Sequence, residues 1–283
     1  MRRYLIVLVL SLSVAWADNG VREINQASVE ASGGFPYTIS EPGSYVLTGN
    51  LAVDGGAEDG ILIQTDDGVT LDLNGFVIEG NGSSGVGVSS EKQDPDQQFS
   101  HFRNIELRNG TVRGFGIGVW VWTSVIDRVR ALENSAQGIW AFRSRVVNCI
   151  ARDNGADGII GLTVIDSEAT DNQGIGIRAI EVAMAIRNYA AGNRGDDETE
   201  GENSQIQIWL DAGNSMALDN VAVAASPDAP AILFFASVFF AEVDDTLKAA
   251  YAGNRVFGQI ENGTAMGCNT INGVAICPAG AQQ

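Results

Sequence analysis

Short stretches of alternating apolar and polar residues follow one another along most of the chain, and turns rich in glycine and asparagine separate them. Val119 and Val121, for example, alternate with Trp120 and Trp122. A period of two is that of a β-strand with one buried side, and no helical period explains the pattern. The pattern therefore predicts an all-β protein made of many short strands.

These strands belong to a repeat of about 20 residues. Four segments end alike, with spacings of 20, 18 and 21 between the residues that close them: Asn134, Asn154, Asn172 and Asn193. A Gly-Ile pair recurs once per unit, as at Gly138-Ile139. A unit this short cannot bury its own apolar side, so we expect consecutive units to stack and their strands to pair in parallel. The recurrent Asn and Gly are expected at positions that need a positive φ.

Several motifs resemble those of a known family. They are Val69-Thr-Leu-Asp-Leu-Asn-Gly75, Asn109-Gly-Thr-Val-Arg-Gly-Phe115 and serial turns such as Asp153-Asn154-Gly155. They are similar to motifs of the secreted right-handed parallel β-helix repeat proteins of the pectate-lyase-like superfamily, over roughly residues 34–220. The resemblance implies a single-stranded right-handed parallel β-helix, a solenoid with an N-terminal cap and a C-terminal capping segment, and it leaves the activity open.

The ends of the chain and the breaks in the repeat predict its organisation. Residues 1–17 combine a short basic start, an apolar run and the pattern Ala15-Trp16-Ala17, which is typical of a secretory signal peptide cut after Ala17. An uncleaved anchor is the alternative, but the run is short for a membrane span. We expect the N-terminal cap and first strands in residues 18–60 and the β-helix with its C-terminal cap in residues 61–283. Further expected features are loops near 82–103 and 194–203, a buried strand pair at 230–243 and a short helix at 244–251.

Composition narrows the classes of partner. The chain has 17 Lys and Arg against 35 Asp and Glu, a formal net charge of −18, and a single His. Nucleic-acid binding is disfavoured because it needs clustered basic residues, and His-rich zinc sites are excluded. Export predicts a secreted or periplasmic protein, without a membrane span after cleavage and expected to be a monomer. It also permits disulfides, for which Cys268 and Cys277 are the expected pair, whereas Cys149 is expected to be buried.

An acidic row is the first candidate site. Glu133, Asp153 and Asp171 each precede one of the repeated asparagines, so stacking would place them on adjacent coils about 5 Å apart. Like charges at that separation repel unless they are solvated, protonated or bridged by a cation, and calcium favours oxygen ligands. The row is thus a candidate calcium site, and a solvated row of turn residues is the alternative.

An aromatic row is the second candidate site. Trp120 and Trp140 occupy one register of the repeat, and Trp122 and Phe142 occupy another. Strand alternation places Val119 and its equivalents inside, so these aromatic residues are expected to face outward, where they would form a platform for sugar rings. The alternative is that another segment covers them, or that a bend turns them into the core.

Function is predicted less sharply than fold. The leading hypothesis is a secreted β-helix protein that binds extracellular or cell-surface carbohydrate, with a polysaccharide or glycan as its partner. One alternative is a polysaccharide lyase or related carbohydrate-active enzyme that uses Glu133, Asp153 or Asp171 with a neighbouring Arg, although no complete catalytic constellation is found. Another is a structural or adhesive solenoid that uses its patches for protein partners.

Overall fold

The structure is a computed structural model that describes residues 20–55, 58–82, 84–92, 100–101, 103–195, 207–211, 215–224, 230–235, 250–257, 259–261, 264–265 and 268–277. The expected signal peptide and most of the expected acidic loop at 194–203 lie outside the described residues. Within them, no helix has the length and apolar character that crossing a membrane requires.

The described residues form one short helix, α1 (Gln26–Ala31), and thirty short strands. The first ten strands are β1 (Val21–Ile24), β2 (Tyr37–Ile39), β3 (Gly43–Leu47), β4 (Leu51–Ala52), β5 (Ile61–Ile63), β6 (Val69–Asp72), β7 (Val77–Glu79), β8 (Val86–Ser89), β9 (Glu91–Lys92) and β10 (Ser100–His101). The next ten are β11 (Ile105–Arg113), β12 (Ile117–Trp122), β13 (Val125–Leu132), β14 (Ile139–Phe142), β15 (Arg145–Val147), β16 (Ile150–Arg152), β17 (Ile159–Ile165), β18 (Glu168–Thr170), β19 (Ile177–Ile186) and β20 (Tyr189–Ala191). The last ten are β21 (Ile208–Asp211), β22 (Met216–Leu218), β23 (Val221–Val223), β24 (Pro230–Phe235), β25 (Ala250–Ala252), β26 (Arg255–Phe257), β27 (Gln259–Glu261), β28 (Thr264–Ala265), β29 (Asn269–Ile271) and β30 (Val274–Ile276).

The strands pair in parallel from coil to coil and form three elongated faces. Face 1 contains β2, β5, β8, β12, β14, the first parts of β17 and β19, β21, β24 and β27. Face 2 contains β1, β3, β6, the first parts of β11 and β13, β15, the last parts of β17 and β19, β22, β25 and β28. Face 3 contains β4, β7, the last parts of β11 and β13, β16, β18, β20, β23, β26 and β29.

Each coil runs through face 1, face 2 and face 3 in turn, and its apolar residues meet inside. Val119, Ile139 and Ile159 stack on consecutive coils of face 1, and all three are fully buried. Because one coil cannot close its own core, this stacking supplies the interior that a single unit lacks. The predicted all-β, right-handed parallel β-helix is confirmed.

Three corners join the faces, and a residue with positive φ turns the chain at each. Corner A, between faces 1 and 2, has Thr123, Arg143 and Glu181 in this conformation; corner B, between faces 2 and 3, has Arg128, Asn148, Asp166, Arg187 and Asp219; corner C, between faces 3 and 1, has Glu133, Asp153, Asp171 and Gly192. The expectation that the repeated asparagines occupy the positive-φ positions is therefore wrong. The strained residue at corner C stands one position earlier, and Asn134, Asn154 and Asn172 are buried instead.

Those asparagines form a hydrogen-bonded ladder inside corner C. Asn154 Oδ1 accepts from the backbone N and the Nδ2 of Asn134, at 3.1 and 2.9 Å, and Asn154 Nδ2 donates to Asn172 Oδ1 at 2.8 Å. The same pattern continues through Asn193 to Gln207. A carboxamide both donates and accepts, so identical side chains satisfy one another from coil to coil. A second ladder inside corner B contains Asn188, Asn220, Asn254 and Asn269.

The recurrent glycines are required for close approach and not for positive φ. A Cβ on Gly138 would lie 2.7 Å from Asn154 Nδ2 and 2.7 Å from the backbone O of Gly158. Gly118, Gly158 and Gly176 would meet equivalent atoms at similar distances. The glycine row thus lets the strands of face 1 begin directly against the asparagine ladder.

The ends of the solenoid differ from its middle. At the N-terminal end, Asn25 caps α1 in a capping box with Ser28, and Val29 is buried in the core. At the other end, β30 turns back antiparallel to β29, and a disulfide joins Cys268 to Cys277.

One expected loop, the expected helix and the expected strand pair differ in the structure. Val86–Ser89, inside the expected loop at 82–103, forms β8 and continues face 1. His101 lies in β10, which pairs with β9 in a separate two-stranded sheet. Ala250–Ala252, at the end of the expected helix at 244–251, is a strand of face 2, because its pairing with β22 extends the ladder. Only Pro230–Phe235 of the expected strand pair is described, and it is one strand of face 1.

Candidate functional site

Four aromatic residues lie together on the outer side of face 1. Trp120 pairs with Trp140, and Trp122 pairs with Phe142, on the coils that contain β12 and β14. Val119 and Val121, which alternate with Trp120 and Trp122, are fully buried, whereas all four aromatic side chains are partly exposed. We call Trp120, Trp122, Trp140 and Phe142 the aromatic strip. Strand alternation has therefore placed these large side chains outside a core that is closed without them.

The two ring pairs of the aromatic strip differ in geometry: one is stacked with an offset and the other is tilted. The Trp120 and Trp140 centroids are 5.5 Å apart with the planes 17° from parallel. Aromatic faces in contact are about 3.6 Å apart, so a 5.5 Å centroid distance implies a lateral offset of about 4 Å. Trp122 and Phe142 lie 4.2 Å apart with their planes tilted by 42°. The strip thus presents stepped apolar surface to the outside.

The Trp120–Trp140 row continues along face 1 with other side chains. Ile160 follows Trp140 and is nearly buried, and Arg178 and Trp209 come next in the pairing. Arg178 Nε lies 2.9 Å from Asp157 Oδ2, and the guanidinium lies 5.3 Å from the centroid of the Trp209 ring. The second row does not continue from Phe142 through Leu162 to Ile180, because an irregularity between Gly161 and Thr163 gives β19 extra residues there.

A groove of about 620 Å³ runs beside the aromatic strip at corner A. We call it the axial groove. One residue from each of six consecutive coils of face 2 lines it, in a continuous pairing register: Ser44, Thr70, Glu106, Val125, Arg145 and Thr163. The five steps between these six coils, at about 4.8 Å each, give the groove a length of about 24 Å along the solenoid axis.

Hydroxyl groups and three charged side chains line the axial groove. Arg143 and Arg145 come from one coil, on either side of the buried Ser144. Arg143 connects the groove to the aromatic strip, because its guanidinium lies 5.6 Å from the centroid of the Phe142 ring. Its Nε donates to Glu181 Oε1 at 2.7 Å. The groove and the strip therefore adjoin at Arg143 and Phe142.

Comparisons with solved structures find similar chains at low identity. The A-module of mannuronan C-5 epimerase AlgE4 from Azotobacter vinelandii is 14% identical, with 84% of this chain and 83% of that one covered and a TM-score of 0.45. Pectate lyase Pel9A is 13% identical, with 88% and 75% covered and a TM-score of 0.44. ORF18 of Geobacillus virus E2 is 9% identical, with 86% and 56% covered and a TM-score of 0.45. The strand pairing of this chain itself identifies its fold as a parallel β-helix. No protein-family model and no curated protein matches the chain.

The acidic row lies on the outside of the β-helix at corner C. Glu133, Asp153 and Asp171 occupy stacked positions, are exposed and have φ values near +55°. Arg152 Nε lies 3.3 Å from Asp153 Oδ2, and a Cβ at the next position, Gly192, would lie 2.5 Å from Asp171 Oδ1. Their oxygens are of the type that calcium prefers. Among the described residues, however, no three acidic, His or Cys side chains come close enough together to hold a metal ion.

Two ionisable groups of the β-helix show how its surroundings shift a pKa. Desolvation raises the pKa of the Asp72 carboxyl, but hydrogen bonds from the Asn109 side chain, the Asn74 backbone and Arg108 outweigh it, so that the pKa lies below the ordinary 3.8. Burial raises the pKa of the Cys149 thiol to about 12. The Cys149 side chain is therefore an uncharged part of the core at neutral pH, which excludes it as a nucleophile in the folded protein.

The sequence predicts that the aromatic strip faces outward and that the acidic row stacks at the turns, but it does not predict the axial groove. Its lining comes from six coils spread over about 120 residues of sequence, and no local motif marks it. The one available signal was the pair Arg143 and Arg145, which flank a small residue at a corner of the repeat.

Proposed function

We propose that this protein is a secreted β-helix that binds carbohydrate along the aromatic strip and the adjoining axial groove. The observation that carries the proposal is the outward placement of two aromatic pairs, Trp120 with Trp140 and Trp122 with Phe142, the first offset and the second tilted. Sugar rings present apolar C–H faces, and partly exposed aromatic faces bind such surfaces, while nearby hydroxyl, amide and charged groups bind the sugar hydroxyls.

A purely structural role for the aromatic strip is the competing explanation. Stacked aromatic pairs contribute about 0.5–1.5 kcal/mol each beyond the area that they bury, so the strip stabilises two adjacent coils whether or not it binds a ligand. The two roles differ in what a substitution changes. Loss of a ring alters stability in both cases, but it alters affinity for a glycan only if the strip is a binding surface.

The test measures affinity for plant, algal and bacterial polysaccharides by affinity electrophoresis and isothermal titration calorimetry. We expect at least one polysaccharide to bind, and Trp140→Ala to weaken that binding about tenfold, the order of one lost aromatic contact. Tyr189→Ala is the matched control, because Tyr189 is an aromatic residue that is 44% exposed on face 3. Trp140→Leu is measured beside it, since it keeps more of the apolar volume if Trp140→Ala unfolds.

Two results would overturn the proposal. One is a complete lack of binding to the panel, and the other is binding that Trp140→Ala, Trp140→Leu and Trp122→Ala all leave unchanged. The same mixtures are monitored for new ultraviolet absorbance, because a lyase leaves an unsaturated product. Such a product would show that the protein is an enzyme and not only a binding protein. Each assay is run with calcium and with a chelator. Calcium-dependent affinity that Asp153→Asn abolishes would support a role for the acidic row.

A further inference from the structure

We infer that the axial groove selects a linear glycan that carries isolated anionic groups on a largely neutral backbone. The inference rests on the proposed function, since it names the class of glycan that the same surface would take. Three observations support it: the length of the axial groove, the position of its two arginines and the net charge of the chain.

The length of the axial groove suits a linear ligand laid parallel to the solenoid axis. About 24 Å is several sugar units, and the groove is open along its side, so a chain can enter without threading. On the coils of Ser44, Thr70 and Val125 the groove offers hydroxyl groups and an apolar contact, together with the backbone of Gly43 and Gly68. Three steps of about 4.8 Å separate the coil of Ser44 from that of Val125, so about 14 Å of the groove faces the ligand with a single charged side chain, Glu106.

That charged side chain is already paired. Glu106 Oε1 lies 3.1 Å from Arg108 Nη1, and Arg108 also contacts Asp72 at 3.0 Å. This part of the groove is therefore suited to neutral sugar units, which hydroxyl groups recognise without a net charge.

The two arginines concentrate positive charge toward one end of the axial groove. Arg143 keeps its Nη groups for a ligand, because its Nε is the atom that meets Glu181. Arg145 is exposed, and no acidic side chain among the described residues forms an ion pair with it. Guanidinium groups bind carboxylate, phosphate or sulfate through paired N–H donors. A ligand that fills the groove can thus place an anionic group beside Arg143 and Arg145, with neutral units along the remaining coils.

The net charge of the chain limits how many anionic groups the ligand carries. At a formal charge of −18, the protein repels a polyanion over the Debye length of about 8 Å and beyond it at low salt. Short-range pairing with Arg145, and with the Nη groups of the already paired Arg143, offsets that repulsion for one anionic group but not for a charge on every sugar. Affinity is therefore expected to be highest at an intermediate density of anionic groups.

The test uses one polysaccharide at three densities of anionic groups. The neutral polysaccharide that binds best in the panel is carboxymethylated to a low and to a high degree, and affinities are measured by calorimetry in low and moderate salt. We expect the sparsely substituted form to bind about threefold more tightly than the neutral form, the order of one exposed ion pair. The densely substituted form should bind more weakly than the sparse form in low salt, and added salt should narrow that difference.

Variants separate this inference from the proposed function. Arg145→Gln should bring the ratio of sparse to neutral affinity to about one, whereas Arg130→Gln, an exposed arginine on the outer side of face 3, should leave the ratio unchanged. Affinity that rises steadily with charge density, or a ratio that Arg145→Gln does not change, would overturn the inference and leave carbohydrate binding intact. Failure of every polysaccharide to bind would overturn both.

Discussion

The buried asparagine ladder at corner C allows a quantitative test of what holds adjacent coils together. Asn154 is fully buried in the middle of this ladder. Its Oδ1 accepts from the backbone N and the Nδ2 of Asn134, and its Nδ2 donates to Ala131 O and Asn172 Oδ1. Asn154→Ala removes all four bonds and leaves no side chain able to replace them.

The cost follows from the groups that the substitution leaves unpaired. The two donors of Asn134 lose the acceptor shown for them, and Asn134 is itself 1% exposed, so water does not reach it without local opening. A buried donor without a partner costs about 1–3 kcal/mol, so we expect Asn154→Ala to lower the free energy of unfolding by about 4 kcal/mol. That is a large part of the 5–15 kcal/mol that is usual for a whole domain.

Urea denaturation followed by far-ultraviolet circular dichroism measures this loss as a shift of the midpoint at unchanged slope. Asn81→Ala is the matched control. Asn81 is exposed and its Nδ2 donates to Asp54 O at 3.0 Å, so water replaces the bond and less than about 1 kcal/mol is expected. If Asn154→Ala also cost less than about 1 kcal/mol, the ladder would not be what joins these coils, and stacking of the apolar interior would have to suffice.

Two further predictions concern close packing and acid stability. Gly138→Ala should lower the thermal midpoint by the equivalent of about 3 kcal/mol, because the new Cβ would lie 2.7 Å from both Asn154 Nδ2 and Gly158 O. The control is Gly49→Ala, which should change the midpoint little because the nearest atom to its new Cβ is 3.8 Å away. Equal midpoints for the two variants would contradict the packing argument. Because the pKa of Asp72 lies below 3.8 in the folded protein, its ionised form stabilises the fold above that pH and the stabilisation is lost on acidification. Melting from pH 7 to pH 2 should therefore show Asp72→Asn less stable than the wild type at pH 7 and converging with it in acid; a gap that stays constant with pH would refute this assignment.

The fold was predictable because the solenoid repeats a local pattern. Spacings of 18 to 21 between Asn134, Asn154, Asn172 and Asn193 already contain the coil length, and parallel stacking is the arrangement in which such short units bury their apolar residues. The same regularity does not predict the role of each individual residue correctly. Asn and Gly tolerate positive φ, so they were expected at the turn itself, but three-dimensional stacking gives them other roles.

At corner C the physical demand is divided between neighbouring residues. Glu133, Asp153 and Asp171 turn the chain with positive φ, although each has a Cβ, and the Asn that follows turns inward to pair with its equivalents. The carboxylates then lie outside, exposed to solvent. Turn geometry accounts for the position of the acidic row, and calcium binding there stays a prediction.

The axial groove shows why site prediction fails where fold prediction succeeds. A concave corner exists only after coils have stacked, and the residues that line it are related by register and not by sequence distance. Arg145 is a neighbour of Val125 and Thr163 because strands β13, β15 and β17 pair in that order. The linear sequence shows each arginine, but it does not show that two of them line the same surface. Once the register of a solenoid is known, the residues that form each outward row can be identified across coils. On this β-helix the register shows that an aromatic row and a pair of arginines adjoin at corner A.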